Sequence, residues 1–194
     1  MVQLEVEAKV KLNKDQVSII RKKILKIAKF SKKVKKADDY FAIKHGFAGL
    51  RYPKKAFRIR DDGKYIVNFK KWLRKYWSNG VVVKEEYEFE IEKPKNFLYL
   101  MKDLGFIEWM KKIKISEKYV HKKDNRINIE INKVKHLGYF IEIEYIAKKS
   151  EIQKAKNKVF STLIELGIEK QVNNKGYTRM LWDKGIRDKK YFLH

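Results

Sequence analysis

Glu5, Glu7 and Lys9 open the chain as two carboxylates and an ammonium spaced two residues apart. The spacing returns in Arg58 and Arg60, Asn68 and Lys70, Glu86, Glu88 and Glu90, Lys112 and Lys114, Glu130 and Asn132, and Glu142 and Glu144. A period of two is that of a β-strand, so each set shares one strand face. Carboxylates so placed hold hard divalent cations through oxygen ligands. Lysine and arginine bind phosphate oxygens, arginine in fork geometry. A ligand that satisfies both sets is a polyphosphate carrying Mg²⁺ or Mn²⁺.

Taken alone, the first stretch has a simpler reading. Leu4, Val6, Ala8 and Val10 alternate with the charges, and an ordinary half-buried strand turns such charges to water. The other strands weigh against it. One parity is apolar, as in Phe57 and Ile59, Tyr87 and Phe89, Ile113 and Ile115, Ile129 and Ile131, and Ile141 and Ile143. The other parity is nearly pure acid or pure base within each strand. On the wet face of an open sheet this segregation would set like charges side by side at a cost. In a closed barrel with the charged parity inward it lines a polar tunnel, one wall carboxylate and the other lysine and arginine. Helices and side chains would cover the apolar exterior.

The elements that must carry these residues are legible. Asn13 with Gln16 reads as a helix start, followed by a stripe of Val17, Ile20, Ile24, Ile27 and Ala28. Strands are expected over 34–43, 56–60, 64–70, 81–92, 107–120, 126–132 and 139–146. The pair around Asp61-Asp-Gly63 reads as a hairpin. Pro94 begins a helix that Gly105 ends, and Ser150 with Gln153 caps another with Ile152, Val159, Phe160 and Leu163 inward. A polar break at Asn173-Asn-Lys-Gly176 precedes a short segment around Tyr177, Met180 and Leu181. These add up to an α+β protein: one domain over 1–194, a closed eight-stranded antiparallel β-barrel with helices outside.

The 194 residues are 44% hydrophobic and 13% aromatic, enough for one sizeable core. With 48 basic and 24 acidic residues the formal charge is +24, a field that favours polyanions. Cysteine is absent, which excludes disulfides, thiolate metal sites and thiol nucleophiles. No signal-peptide pattern and no long uncharged apolar run is seen, so the expectation is a cytoplasmic protein without a membrane partner.

With these residues in view, the chain resembles the CYTH superfamily, the triphosphate tunnel metalloenzymes. Glu5-Val-Glu-Ala-Lys9 matches its E-x-E-x-K signature. Asp39-Tyr40-Phe41, Phe57-Arg-Ile-Arg60, Asn68-Phe-Lys70, Glu86-Tyr-Glu88 and Val134-Lys-His-Leu-Gly138 with Phe140-Ile-Glu-Ile-Glu144 follow in the family's order. The resemblance implies an eight-stranded tunnel and the activities of class IV adenylate cyclases, thiamine triphosphatases and inorganic triphosphatases. It implies that Glu5, Glu7, Glu142 and Glu144 hold metal ions, with Glu86, Glu88 and Glu130 as further candidates. It also implies that Lys9, Arg58, Arg60, Lys70 and Lys114 bind the triphosphate, with Lys112 as a further candidate on that wall, and that Tyr40 and Lys70 help activate water.

Two positions depart from the family pattern: Ser116 stands where an arginine is expected and Asn132 where an aspartate is expected. Glu130 or Lys112 would have to compensate. The segment 44–55 is longer than expected and would cover one mouth of the tunnel. A metal-dependent triphosphatase is the leading reading. A class IV adenylate cyclase is the alternative, and a non-catalytic module for polyphosphate or RNA 5′-triphosphate ends is the other class. Basic runs such as Lys32 to Lys36 and Lys71 to Lys75 read first as solvated surface. Trp72, Tyr76 and Trp77 read equally as stacking platforms or as packing under a loop. His45, His121, His136 and His194 show no metal spacing. Either a monomer or a homodimer is compatible with the sequence.

Overall fold

The computed structural model describes residues 4–43, 52–53, 55–61 and 63–188. In chain order the elements are β1 (Leu4–Leu12), α1 (Lys14–Ile27), β2 (Ala28–Ile43), β3 (Phe57–Asp61), β4 (Tyr65–Trp72) and β5 (Val82–Ile91). Then come α2 (Pro94–Asp103), β6 (Phe106–His121), β7 (Ile127–Val134), β8 (Gly138–Ala147), α3 (Ile152–Leu166) and α4 (Tyr177–Asp183). Among the described residues the strands close into an antiparallel barrel in the order β1-β5-β4-β3-β2-β6-β7-β8, with the helices outside. The expected α+β barrel is the one found. Most of the segment 44–55, with His45, lies outside the described residues, as does His194.

Two local expectations are corrected. The second strand begins at Ala28, not near residue 34, because α1 stops at Ile27. Lys122 ends it: its ammonium donates to the carbonyls of Leu25 and Lys26, both at 2.8 Å, and its backbone N–H to that of Ile27. A side chain that satisfies the last carbonyls closes a helix there. Before α3 the acid that reaches back is Glu151, which accepts the Lys148 N–H at 3.2 Å, while Gln153 bonds Asn157. At α1 the expected cap is present, with Gln16 accepting the Asn13 N–H at 2.8 Å.

The chain divides into two compact units, each drawn from three stretches. The first is Met1–Val34, Lys70–Glu86 and Lys114–Asn174; the second is Lys35–Phe69, Tyr87–Ile113 and Lys175–His194. In the first, β1 is paired on both edges, with Glu5 opposite Lys84 of β5 and Glu7 opposite Glu144 of β8. Its apolar face (Leu4, Val6, Ala8, Val10) joins Ile129, Ile141 and Ile143 in a core covered by α1 and α3. Tyr76 and Trp77 pack against this core, and the Trp77 indole N–H donates to the Val83 carbonyl at 3.2 Å. In the second unit Phe41, Ile59, Val67 and Leu98 form the core, with Phe57 stacked on Phe41. The outer face is barer than expected at Phe89, Phe69 and Ile115, which are all exposed. Among the described residues no helix is long and apolar enough to cross a membrane.

Candidate functional site

The charged parity of β1 is buried: Glu5, Glu7 and Lys9 are 2%, 8% and 5% exposed. Backbone pairing explains how they gather. Antiparallel register sets Lys9 opposite Glu142, Glu7 opposite Glu144 and Glu130 opposite Glu142, so residues two apart on β1, β7 and β8 meet on one face.

Lysines are threaded through these carboxylates. Lys84 lies 2.8 Å from Glu7 and 3.3 Å from Glu5, and Lys70 contacts Glu5 and Glu86, the latter at 3.0 Å. Lys9 lies 3.7 Å from Glu7 and 3.6 Å from Glu142. Lys114 bridges Glu130 at 3.0 Å and Glu142 at 3.2 Å, and Lys118 reaches Glu130 at 3.2 Å. An all-acid wall is therefore not what this unit holds. Bases from neighbouring strands interleave with the acids, which removes the repulsion that segregated rows would suffer.

The protonation of each carboxylate follows from its company. Burial opposes ionisation of Glu5, yet Lys70 and Lys84 outweigh it and hold its carboxyl down at about 2. Burial likewise opposes ionisation of Glu142, and Lys114 and Lys9 hold it below its ordinary range. Glu144 is the exception. Among the described residues it makes no hydrogen bond or ion pair, and burial and the neighbouring Glu5, with Glu7 and Glu86, outweigh the Lys70 charge and push it up to about 8.

Among the described residues no three carboxylates yet converge as a metal cage. The donor set nevertheless fits a hard divalent cation: it offers only oxygens, two pairs two residues apart on adjacent strands, and burial and Glu5 disfavour the charged form of Glu144, a balance that a bound cation would reverse.

The two departures from the family pattern sit together. Ser116 and Asn132 are cross-strand partners, both fully buried, and the serine hydroxyl donates to the asparagine oxygen at 2.5 Å. The Asn132 amide donates to Glu142 at 2.7 Å. Glu130, opposite Glu142 on β7, is the carboxylate beside it.

The second unit gathers a different group around Asp38, which is fully buried. Lys112 lies 2.7 Å from it, Arg60 meets it through Nε at 2.8 Å, and Arg58 donates at 3.4 Å. Burial opposes its ionisation, but Lys112, Arg58 and Arg60 hold it well below the usual carboxylate range. Lys112 also donates to the Tyr40 hydroxyl at 3.0 Å and lies over the Tyr177 ring. Burial raises the Tyr40 hydroxyl, and Lys112 and Arg58 together more than reverse this, leaving it more acidic than an ordinary phenol. Lys70, paired with Tyr40 by the family resemblance, has Glu5 and Glu86 as partners.

Three readings of the sequence are sharpened. The acid among the cations is Asp38, on the parity of Tyr40; Asp39 lies on the other face, 2.8 Å from Lys111. Lys84, unremarked in the sequence, is buried between Glu5 and Glu7, and its place two residues before Glu86 was the available signal. Glu88 is exposed and accepts from Asn68 at 2.8 Å in the second unit.

With this geometry described, known proteins can be compared. The sequence model of the CYTH domain matches residues 3–177. No curated protein sequence matches the chain. Among solved structures, the PH1819 protein from Pyrococcus horikoshii OT3 is 30% identical with a TM-score of 0.74, covering 93% of this chain and 99% of that one. HpAC1 from Hippeastrum, for which a dominant triphosphatase activity is described, is 16% identical with a TM-score of 0.63 over 95% and 96% of the two chains. The mimivirus capping enzyme triphosphatase is 15% identical with a TM-score of 0.52 over 84% and 89%. The last two likenesses are of fold.

Proposed function

This chain belongs to the CYTH domain family, and from that premise we propose that it is a metal-dependent triphosphatase. Its substrate is inorganic triphosphate or a nucleoside or other organic triphosphate. The observation that carries the reading is the largely buried cluster on β1 and β8, in which Glu144 makes no ion pair among the described residues while Lys9, Lys70, Lys84 and Lys114 pair with Glu5, Glu7 and Glu142.

Glu5, Glu7, Glu142 and Glu144 would hold Mg²⁺ or Mn²⁺. A hard cation bound there supplies Lewis acidity and neutralises phosphate charge. The residues of the chain do the rest by exchange of partners. Lys9, Lys70, Lys84 and Lys114, which pair with these acids here, would bind phosphate oxygens once the acids hold a cation. Phosphoryl transfer asks mainly for such positioning and charge stabilisation. Within the second unit, Arg58, Arg60 and Lys112 are further candidates for phosphate oxygens, and Tyr40, whose hydroxyl accepts from Lys112, is the candidate for helping to activate water.

Incubation with inorganic triphosphate, ATP or RNA carrying a 5′-triphosphate, with Mg²⁺ or Mn²⁺, tests the proposal by following phosphate, pyrophosphate and cyclic AMP. Phosphate release abolished by Glu144→Gln and by removal of the metal is the expected result. Cyclic AMP with pyrophosphate moves the reading to a cyclase. Tight binding without any product leaves a binding module.

A further inference from the structure

Trp72 ends β4 two residues beyond Lys70, on the same parity, and its side chain is 42% exposed. Its neighbours tie it to the acid–lysine cluster. Lys84, which lies between Glu5 and Glu7, has its ammonium 5.4 Å from the Trp72 ring centroid. On another side the Trp77 ring lies 5.1 Å away at 50°. Trp77 itself is fixed by its bond to the Val83 carbonyl and by packing on the core. Trp72 is thus braced by an indole and a lysine while much of its side chain faces solvent. A large aromatic held at the rim of a charged cluster, instead of being buried in the core, is a stacking surface.

We infer that Trp72 is the platform for the nucleobase of a nucleotide whose triphosphate occupies the cluster of Glu5, Lys70 and Lys84. This rests on the triphosphatase reading and narrows its substrate class from inorganic to nucleobase-bearing triphosphates. The reach is suitable: two residues of strand span ~7 Å, comparable to the ribose that separates an α-phosphate from its base. Every base has a π-face, so the platform is tolerant of base identity. Arg74, with its guanidinium 5.5 Å from the Trp77 ring, adds positive charge beside it.

Calorimetric affinities and, where turnover is seen, KM are compared for ATP, GTP, a 5′-triphosphorylated oligonucleotide and inorganic triphosphate on the full chain. Trp72→Ala should weaken ATP and GTP by about tenfold, leave inorganic triphosphate unchanged, and be largely rescued by Trp72→Phe. A loss confined to the oligonucleotide still supports the platform and assigns the base to an RNA end. Equal weakening of all four ligands overturns it, since Trp72 then only positions Lys84. No change, or no binding of ATP or oligonucleotide to the unaltered protein, overturns it too. Turnover failing for every triphosphate defeats the hydrolase reading, while the ratio of affinities still decides this one.

Discussion

Ser116 donates its hydroxyl to Asn132 across the β6–β7 pair, and Asn132 passes its amide on to Glu142. Where the family resemblance leads one to expect a cation and a carboxylate, this chain holds one neutral, hydrogen-bonded pair. Glu142 keeps a donor where it would otherwise meet a second negative charge.

Asn132→Asp should thus destabilise the metal-free protein by about 1–3 kcal/mol, because a donor to a buried carboxylate becomes a repelling charge. Ser116→Arg together with Asn132→Asp should cost less than the two single changes summed, the mark of a coupled pair. Chemical denaturation of the four proteins without metal measures both; strictly additive costs count against the pairing.

Glu144 gives a pH dependence with a definite sign. Its folded value of about 8 lies above its ordinary 4.5, so between those values the folded state holds a proton that the unfolded chain has lost. Stability from this group falls as pH rises through 4.5 to 8. Glu144→Gln should flatten that slope and raise the melting temperature at pH 8. Binding of Mn²⁺ near pH 7 should release a proton, visible in calorimetry as a heat that varies with the buffer's ionisation enthalpy, and this dependence should shrink in the variant. Removing the metal with a chelator should return the melting temperature to its metal-free value.

Asp38 behaves in the opposite sense. Its carboxyl is held low by Lys112, Arg58 and Arg60, so its contribution is present above its ordinary 3.8 and fades as pH falls below it. Asp38→Asn leaves three cations around a neutral amide and should cost about 3–5 kcal/mol. Sulfate should restore part of that loss in thermal melts where chloride at equal ionic strength does not.

Gly80 tests the packing that supports β1. Its backbone φ is +76°, and a Cβ added there would lie 2.5 Å from a Val172 methyl carbon. Val172 bridges to Val10 of β1. Gly80→Ala should therefore destabilise by about 1–3 kcal/mol, read from the urea midpoint at unchanged slope. Gly63, also at positive φ but with open space around the added atom, should cost less on the same change.

Much of this arrangement is readable from periodicity, because burial and charge alternate with the same period of two. Glu5, Glu7, Lys9, Lys114 and Glu142 declare their face through their neighbours, and the closed barrel follows from turning that face inward. Pairing across strands is less legible. Lys84 reads as one more lysine until β5 is set against β1, where it faces Glu5. Asp38 and Asp39 are indistinguishable by composition; only the strand's parity sends one to the cations and the other to Lys111. The early start of β2 rests on a lysine almost a hundred residues away capping α1, which no local pattern records.

β1 takes its partners from residues 82–85 on one edge and 139–147 on the other. Neither edge is a local hairpin, so both pairings must close long loops before they contribute. Topologies of that kind fold slowly for their size. Pairing of β1 on both edges is thus expected to come late in folding. The part of the acid–lysine cluster built from Lys114, Glu130 and Glu142 lies on consecutive strands, whereas Glu5 and Glu7 join Glu142 and Glu144 only when β1 pairs with β8. Completion of the cluster is thus tied to the pairing of β1, the step that closes the barrel.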